Sequence, residues 1–230
     1  MADLFWAFEN PAAKAAGALP PSPLELNYGR REGAGPKDLQ RAAALGRPVT
    51  PADCGPIRVI AGYGVLVSCP GSVTLRRAES PRAERSFAPG SASFGLAEIS
   101  GDGWPVGDTG LIASWIGGSE YVKIQTGIMI FFPRGMSLYQ GPLPNVQLTD
   151  APSVEVMAGI EYASKNRLWP SEGEALAWSS INVIVRLPEH GRTVKLDRGD
   201  PLCWAFPVPA RSAITLKKLA LSDTAQDAAS

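Results

Sequence analysis

Two carboxylates six positions apart, Glu155 and Glu161, and a guanidinium, Arg186, on an otherwise apolar stretch are the groups of this chain best suited to acid–base chemistry. Paired acid–base carboxylates work within about 5 to 10 Å of each other. If Glu155 and Glu161 share one strand, six residues at about 3.3 Å each place them roughly 20 Å apart. They are therefore expected to act singly, each against a basic group from another strand, with Arg186 the natural partner. Such an Arg–Glu pair also serves plain structure.

The remaining reactive types narrow the chemistry further. The single histidine, His190, stands in the turn sequence Pro188-Glu189-His190-Gly191. A histidine-ligated metal cluster or a facial iron triad needs at least two histidines, so no metal ligands and no cofactor are expected. Cys54, Cys69 and Cys203 show no CxxC spacing, and Cys69 and Cys203 read as small core residues. Trp115 and Trp169 offer aromatic surface to a flat ligand or a sugar face, while Asn182 and Asn145 line a polar pocket or anchor turns. Trp204 is expected in the core, on one face with Leu202 and Phe206. Gly101-Asp102-Gly103 and Gly117-Gly118 lack the strand-to-helix context and the Lys-Ser/Thr of a phosphate loop, which argues against nucleotide hydrolysis.

These groups must be positioned by strands. In 181–187 the side chains of Ile181, Val183, Val185 and Leu187 alternate with Asn182, Ile184 and Arg186. Residues 188–191 break that run, 193–196 resume it, and Asp197-Arg198-Gly199-Asp200-Pro201 makes a second turn before 202–208. Residues 4–8 read as a first strand or a hydrophobic plug, and further strands are expected at 57–60, 64–68, 73–76, 111–116, 121–132, 136–140 and 154–162. Residues 11–23 are expected to be irregular, 77–89 an exposed loop or hairpin, and 164–175 a loop pinned by Trp169-Pro170. Only 36–45, opened by Pro36 and closed by Gly46, reads as a helix. The expected fold class is all-β: an antiparallel β-sandwich or jelly roll, double-stranded β-helix-like, with one or two short helices near the N-terminus. Residues 1–55 form an N-terminal extension packed on the core, 56–221 a single sandwich domain, and 222–230 a flexible tail.

Five segments carry a family likeness: GYGVLVSCP at 62–70, GPLPNV at 141–146, EVMAGIEY at 155–162, INVIVRLPE at 181–189 and DRGDPLCWAFPV at 197–208. In this order the chain resembles the uncharacterised bacterial family called domain of unknown function 6065. Its members run from an aromatic-Gly segment ending in Cys-Pro, through a Gly-Pro-x-Asn-like turn, to a Gly-Asp/Glu-Pro turn before a final Phe-Pro-Val strand. The likeness covers roughly 56–208 and implies a fold, since the family brings no assigned activity. A second likeness, to cupins, comes from Gly199-Asp200 and Phe206-Pro207 and implies a jelly roll without the cupin metal ligands.

Composition bounds the partners. The 22 basic and 22 acidic side chains of the 230 residues cancel, so no global field draws nucleic acid or an anionic membrane. No apolar run reaches about 18 residues, and three cysteines fit a reducing, cytoplasmic setting. The expected function is metal-independent binding of a small organic or peptidic ligand between the sheets, with acid–base catalysis by Glu155, Glu161 and Arg186 open to it. The alternative is a structural module that forms a homo-oligomer through its apolar strands and tryptophans, without catalysis. Elemental analysis of the purified protein should find no stoichiometric transition metal; one tightly held equivalent would overturn the histidine argument.

Overall fold

Buried side chains alternate strictly with half-buried ones from Leu176 to Val185, the period that a pleated strand imposes. The computed structural model describes residues 4–23, 64–104, 109–117, 119–142, 154–162, 168–169 and 176–209, with the backbone alone at 23, 161–162 and 168–169. Within them lie β1 (Phe5–Phe8), α1 (Pro11–Ala15), β2 (Ser22–Pro23), β3 (Val65–Ser68), β4 (Val73–Ala88), β5 (Ser91–Gly101), β6 (Ala113–Trp115) and β7 (Tyr121–Pro133). They are followed by β8 (Met136–Gly141), β9 (Gly159–Tyr162), β10 (Leu168–Trp169), β11 (Leu176–Arg186), β12 (Thr193–Leu196) and β13 (Pro201–Pro209). The helix expected at 36–45, the strand at 57–60, most of the loop at 164–175 and the tail at 222–230 lie outside the described residues.

The strands form three antiparallel sheets, so the chain is all-β and sandwich-like as expected. The first runs β1–β7–β11–β10 with β6 also on β7, the second β2–β3–β13–β8–β9, and the third β12–β4–β5. One cluster of buried side chains draws on all three: Ile124, Phe132 and Val183 from the first, Val67, Leu138 and Leu202 from the second, Leu75, Ile99 and Leu196 from the third. Burying one apolar side chain of this size contributes about 1.5–3 kcal/mol, so the shared core holds the sheets together.

Three local expectations are corrected. Residues 11–23 were expected to be irregular, yet Pro11–Ala15 is a single helical turn: the Asn10 side chain accepts from the Ala13 N–H at 2.7 Å and Pro11 occupies the first turn. The strand expected at 154–162 is broken. Val156 bridges Val185 in the first sheet, whereas β9 pairs with β8 in the second, so this segment crosses between sheets. In β13 a register shift between Pro201 and Cys203 resets the alternation. Leu202, Cys203 and Ala205 join the core, and Trp204, although buried, stacks with Phe206 at 4.3 Å on the opposite face.

The hairpin of β4 and β5 departs furthest from a flat ladder. Regular pairing from Val73↔Gly101 to Arg77↔Ala97 gives way to Arg82↔Gly95 and then Ser86↔Ser93. Between Arg77 and Arg82, β4 advances five residues while β5 advances two; between Arg82 and Ser86 it advances four against two. Such bulges bend a strand pair, and Pro81 lies within the first of them. The Gly101 N–H donates to the Gly90 carbonyl at 3.0 Å. Eleven residues of straight strand would separate those two by about 36 Å. The hairpin therefore folds back until its tip meets its base.

Gly101 makes that closure at φ 151, with its backbone against Ser72 and Val73. A Cβ there would strike the Ser72 carbonyl oxygen and sit 2.8 Å from the Val73 Cα. Gly95, at φ 54, has nothing within 4 Å of the same position. Gly101→Ala is expected to lower stability by about 3 kcal/mol and Gly95→Ala by about 1 kcal/mol. At roughly 2–4 °C per kcal/mol, thermal denaturation should show about 6–12 °C lost for the first and far less for the second; equal losses would contradict the close approach at Gly101.

Candidate functional site

A strand sends successive side chains to opposite faces, and on β4 this separates two neighbouring arginines. Arg76 belongs to the face away from the core. In register beside it lie Thr193 of β12 and Glu98 of β5, and one step along the strands lie Thr74, Lys195 and Ser100. The Arg76 Nε donates to Glu98 Oε2 at 2.7 Å, and Arg82, delivered by the first bulge, donates to Glu98 Oε1 at 2.8 Å. One carboxylate thus bridges two guanidinium groups.

Folding the hairpin back turns this face into a hollow of about 520 Å³. Its charged lining is Arg76, Arg82 and Glu98; six hydroxyl residues, Thr74, Ser86, Ser91, Ser93, Ser100 and Thr193, and the apolar Ala88, Ala92 and Ile99 make up the rest. They come from both arms of the hairpin and from β12, so no single strand carries the site. The small size of the hydroxyl residues keeps the space open between the larger charged groups.

The opposite face of the hairpin tip is apolar and anchors it. Trp115 of β6 lies 5.7 Å from the Phe87 ring and 5.3 Å from the Phe94 ring, with the Arg85 guanidinium 5.6 Å from its centroid. Arg85 also stands 5.4 Å from the Phe94 ring. Such cation–π contacts contribute about 0.5–2 kcal/mol. Trp115, expected at a ligand, is buried beneath the hairpin, and its indole N–H has no hydrogen-bond partner among the described residues.

Arg77 faces away from Arg76 and begins a second chain of charges. It donates to Glu120 at 2.9 Å; Arg186 meets Glu120 at 3.0 Å and Glu155 at 3.2 Å. Hydrogen bonds that Arg186 donates to Glu155 and then Glu120 raise its pKa above the ordinary value. Both Arg186 and Glu155 are exposed, so each contact is screened by solvent and adds little to stability. The expected Glu155–Arg186 partnership is present as a surface ion pair tying the crossing segment to β11.

The other sequence-derived candidates are scattered. Glu161 is on β9, in a different sheet from the bridge beside Glu155, and its side chain lies outside the described residues, as does that of Trp169 on β10. Asn145 also lies outside them. Asn182 is half-buried on β11 opposite Gln125, at a register shift in the ladder. Arg76, Arg82, Glu98 and the hydroxyls were missed by sequence reasoning. The usable signals were two bulge-formers, Pro81 inside a charged run and Gly95 in the strand that follows it.

The chain matches no protein-family model, no curated protein and no solved structure.

Cys69 and Cys203 are buried, and burial pushes both thiols up to about 12. At Cys69 the hydrogen bond to the Gly71 carbonyl opposes that rise, while Asp200, Asp102 and Asp197 add to it. Neither thiol supplies a nucleophile near neutral pH. In a Cys54→Ser variant at pH 8, a colorimetric thiol reagent should find no fast-reacting group in the folded protein and two after denaturation. Because the unfolded thiols ionise near their ordinary value of 9.0 and the folded ones near 12, stability present below pH 9 should decline as pH rises across that interval. A rapidly labelled thiol in the folded state would refute the assignment.

Proposed function

We propose that this chain is a binding module that takes a small, polar, anion-bearing ligand in the hollow of the β4–β5 hairpin. The observation that carries this reading is the pair of guanidinium groups bridged by Glu98 and ringed by six hydroxyls. Two positive groups against one negative leave the lining at +1. Each guanidinium has five N–H donors, so engagement with Glu98 leaves others for a ligand. Glu98 fixes both arginines in advance, which lowers the ordering cost of binding.

Holding is favoured over proton transfer because both oxygens of Glu98 already accept from arginine. Glu155 and Arg186 belong to the other charge chain, reached through Arg77 rather than Arg76. The ligand is accordingly placed on the outer face of the third sheet instead of between sheets.

A second reading, self-association, draws on β1. Among the described strands it lies at an edge of the first sheet with Phe5 and Trp6 exposed, and an open apolar edge is a template for another strand. Light scattering over a range of concentrations tests it: a constant monomer mass rejects self-association.

For the leading reading, titration calorimetry against small carboxylates and phosphate esters should give saturable binding with Kd of about 10 µM to 1 mM, weakening as salt rises. Arg82→Ala should reduce that affinity by about tenfold or more, while Arg134→Ala, in the exposed β7–β8 turn, should leave it unchanged. Binding indifferent to Arg82, or no binding by any anion, would reject the module.

A further inference from the structure

Resting on that reading, we infer that the ligand is a singly charged, polyhydroxylated acid of the sugar-acid class. Charge sets the first limit. The lining carries +1, and its carboxylate sits between the two guanidinium groups, so a monoanion balances the hollow whereas a second negative charge faces Glu98 without a partner. A phosphate monoester, close to a dianion near neutral pH, fits less well.

Hydrogen-bond chemistry sets the second. Guanidinium only donates and carboxylate only accepts, but serine and threonine hydroxyls do both. A lining rich in such groups matches a ligand whose own groups do both, which is the property of sugar hydroxyls. Their placement is also informative. Ser86 and Ser93 are direct cross-strand partners near the hairpin tip, and Thr74 and Ser100 are direct partners near its base. Arg76, Glu98 and Arg82 lie between these pairs along the strands. Because the hairpin folds back until its tip meets its base, the two hydroxyl pairs approach each other across the hollow from the charged groups, which suits a ring bearing one carboxylate with hydroxyls around it.

Aromatic surface sets the third. Phe87, Phe94 and Trp115 pack together on the other face of the tip, and among the described residues the lining of the hollow has no aromatic ring. A planar base or aromatic acid would find no stacking partner there. The volume of about 520 Å³ falls within the usual span of small-ligand sites.

Four probes separate these limits by ligand-observed NMR or calorimetry on the full chain: glucuronate, glucose, acetate and glucose 6-phosphate. Glucuronate should bind saturably, with glucose, acetate and glucose 6-phosphate each at least about tenfold weaker. The double variant Ser86→Ala/Ser93→Ala should weaken glucuronate by a larger factor than acetate; Arg82→Ala should weaken both. Near-ultraviolet circular dichroism of each variant shows whether the fold survives, and Arg76→Ala serves in its place if Arg82→Ala does not fold. Acetate or glucose 6-phosphate binding as tightly as glucuronate, with dependence on Arg82, overturns the sugar-acid class but keeps the binding module. Glucose equalling glucuronate removes the role of charge and overturns the class. If none of the four binds with dependence on Arg82 or Arg76 at about 10 mM, the class is overturned; loss of the module is read separately, from the absence of arginine-dependent binding across the wider anion series.

Discussion

The backbone closure at Gly101 is the constraint on which the rest of the third sheet depends. At that residue the chain donates to Gly90, pairs with Val73 and presses against Ser72, all without room for a side chain. The next residue continues the closure: the Asp102 N–H donates to the Ser72 carbonyl at 2.8 Å and the Asp102 carboxylate accepts from the Ser72 N–H at 2.6 Å. Ser72 in turn donates to Asp197 at 3.4 Å, at the mouth of the turn between β12 and β13. Without this knot a sixteen-residue strand would extend into solvent as a flat edge, exposed to pairing with other chains.

The pleat of β4 divides the charges. Arg76 and Arg77 are adjacent in sequence and belong to separate ion-pair systems, one on the outer face of the sheet and one reaching towards β11. The apolar interior draws on side chains of every sheet, and the charged residues are distributed around it. This arrangement follows from desolvation: a guanidinium keeps its hydration on a surface hollow and would lose it between packed sheets, where pairing recovers only part of the loss.

Much of the architecture was readable locally. The alternation in β11, the apolar run of β7 beyond Gly127 and the turn at 197–201 each announce their element within a window of about ten residues, and together they give an antiparallel all-β fold. Asn10 followed by Pro11 was also a local signal, a helix cap and first turn obscured by the alanines and prolines around it. The crossing of residues 154–162 between sheets was not readable, because a strand's composition does not say which neighbour it joins. The same limit concealed the hollow. Arg76 meets Glu98 across 22 residues as its direct cross-strand partner, and Arg82 meets it across 16 only once the first register shift has bent the hairpin. Read one at a time, the same charges resemble an ordinary solvated face. Glu155 and Arg186 were correctly associated because one basic group on an apolar strand stands out by itself.

The hollow is shaped as much by what its residues lack as by what they carry. Glycine supplies the closure and the bend, and serine supplies most of the hydroxyls, while Ala92 and Ile99 of the core also border the space. Exchanging one of those serines for a larger residue would redraw the outline of the space while leaving the contacts among Leu75, Ile99 and Leu196 in place. Ligand preference and stability can therefore drift independently in this protein, and its selectivity can be retuned by single substitutions that the fold barely registers.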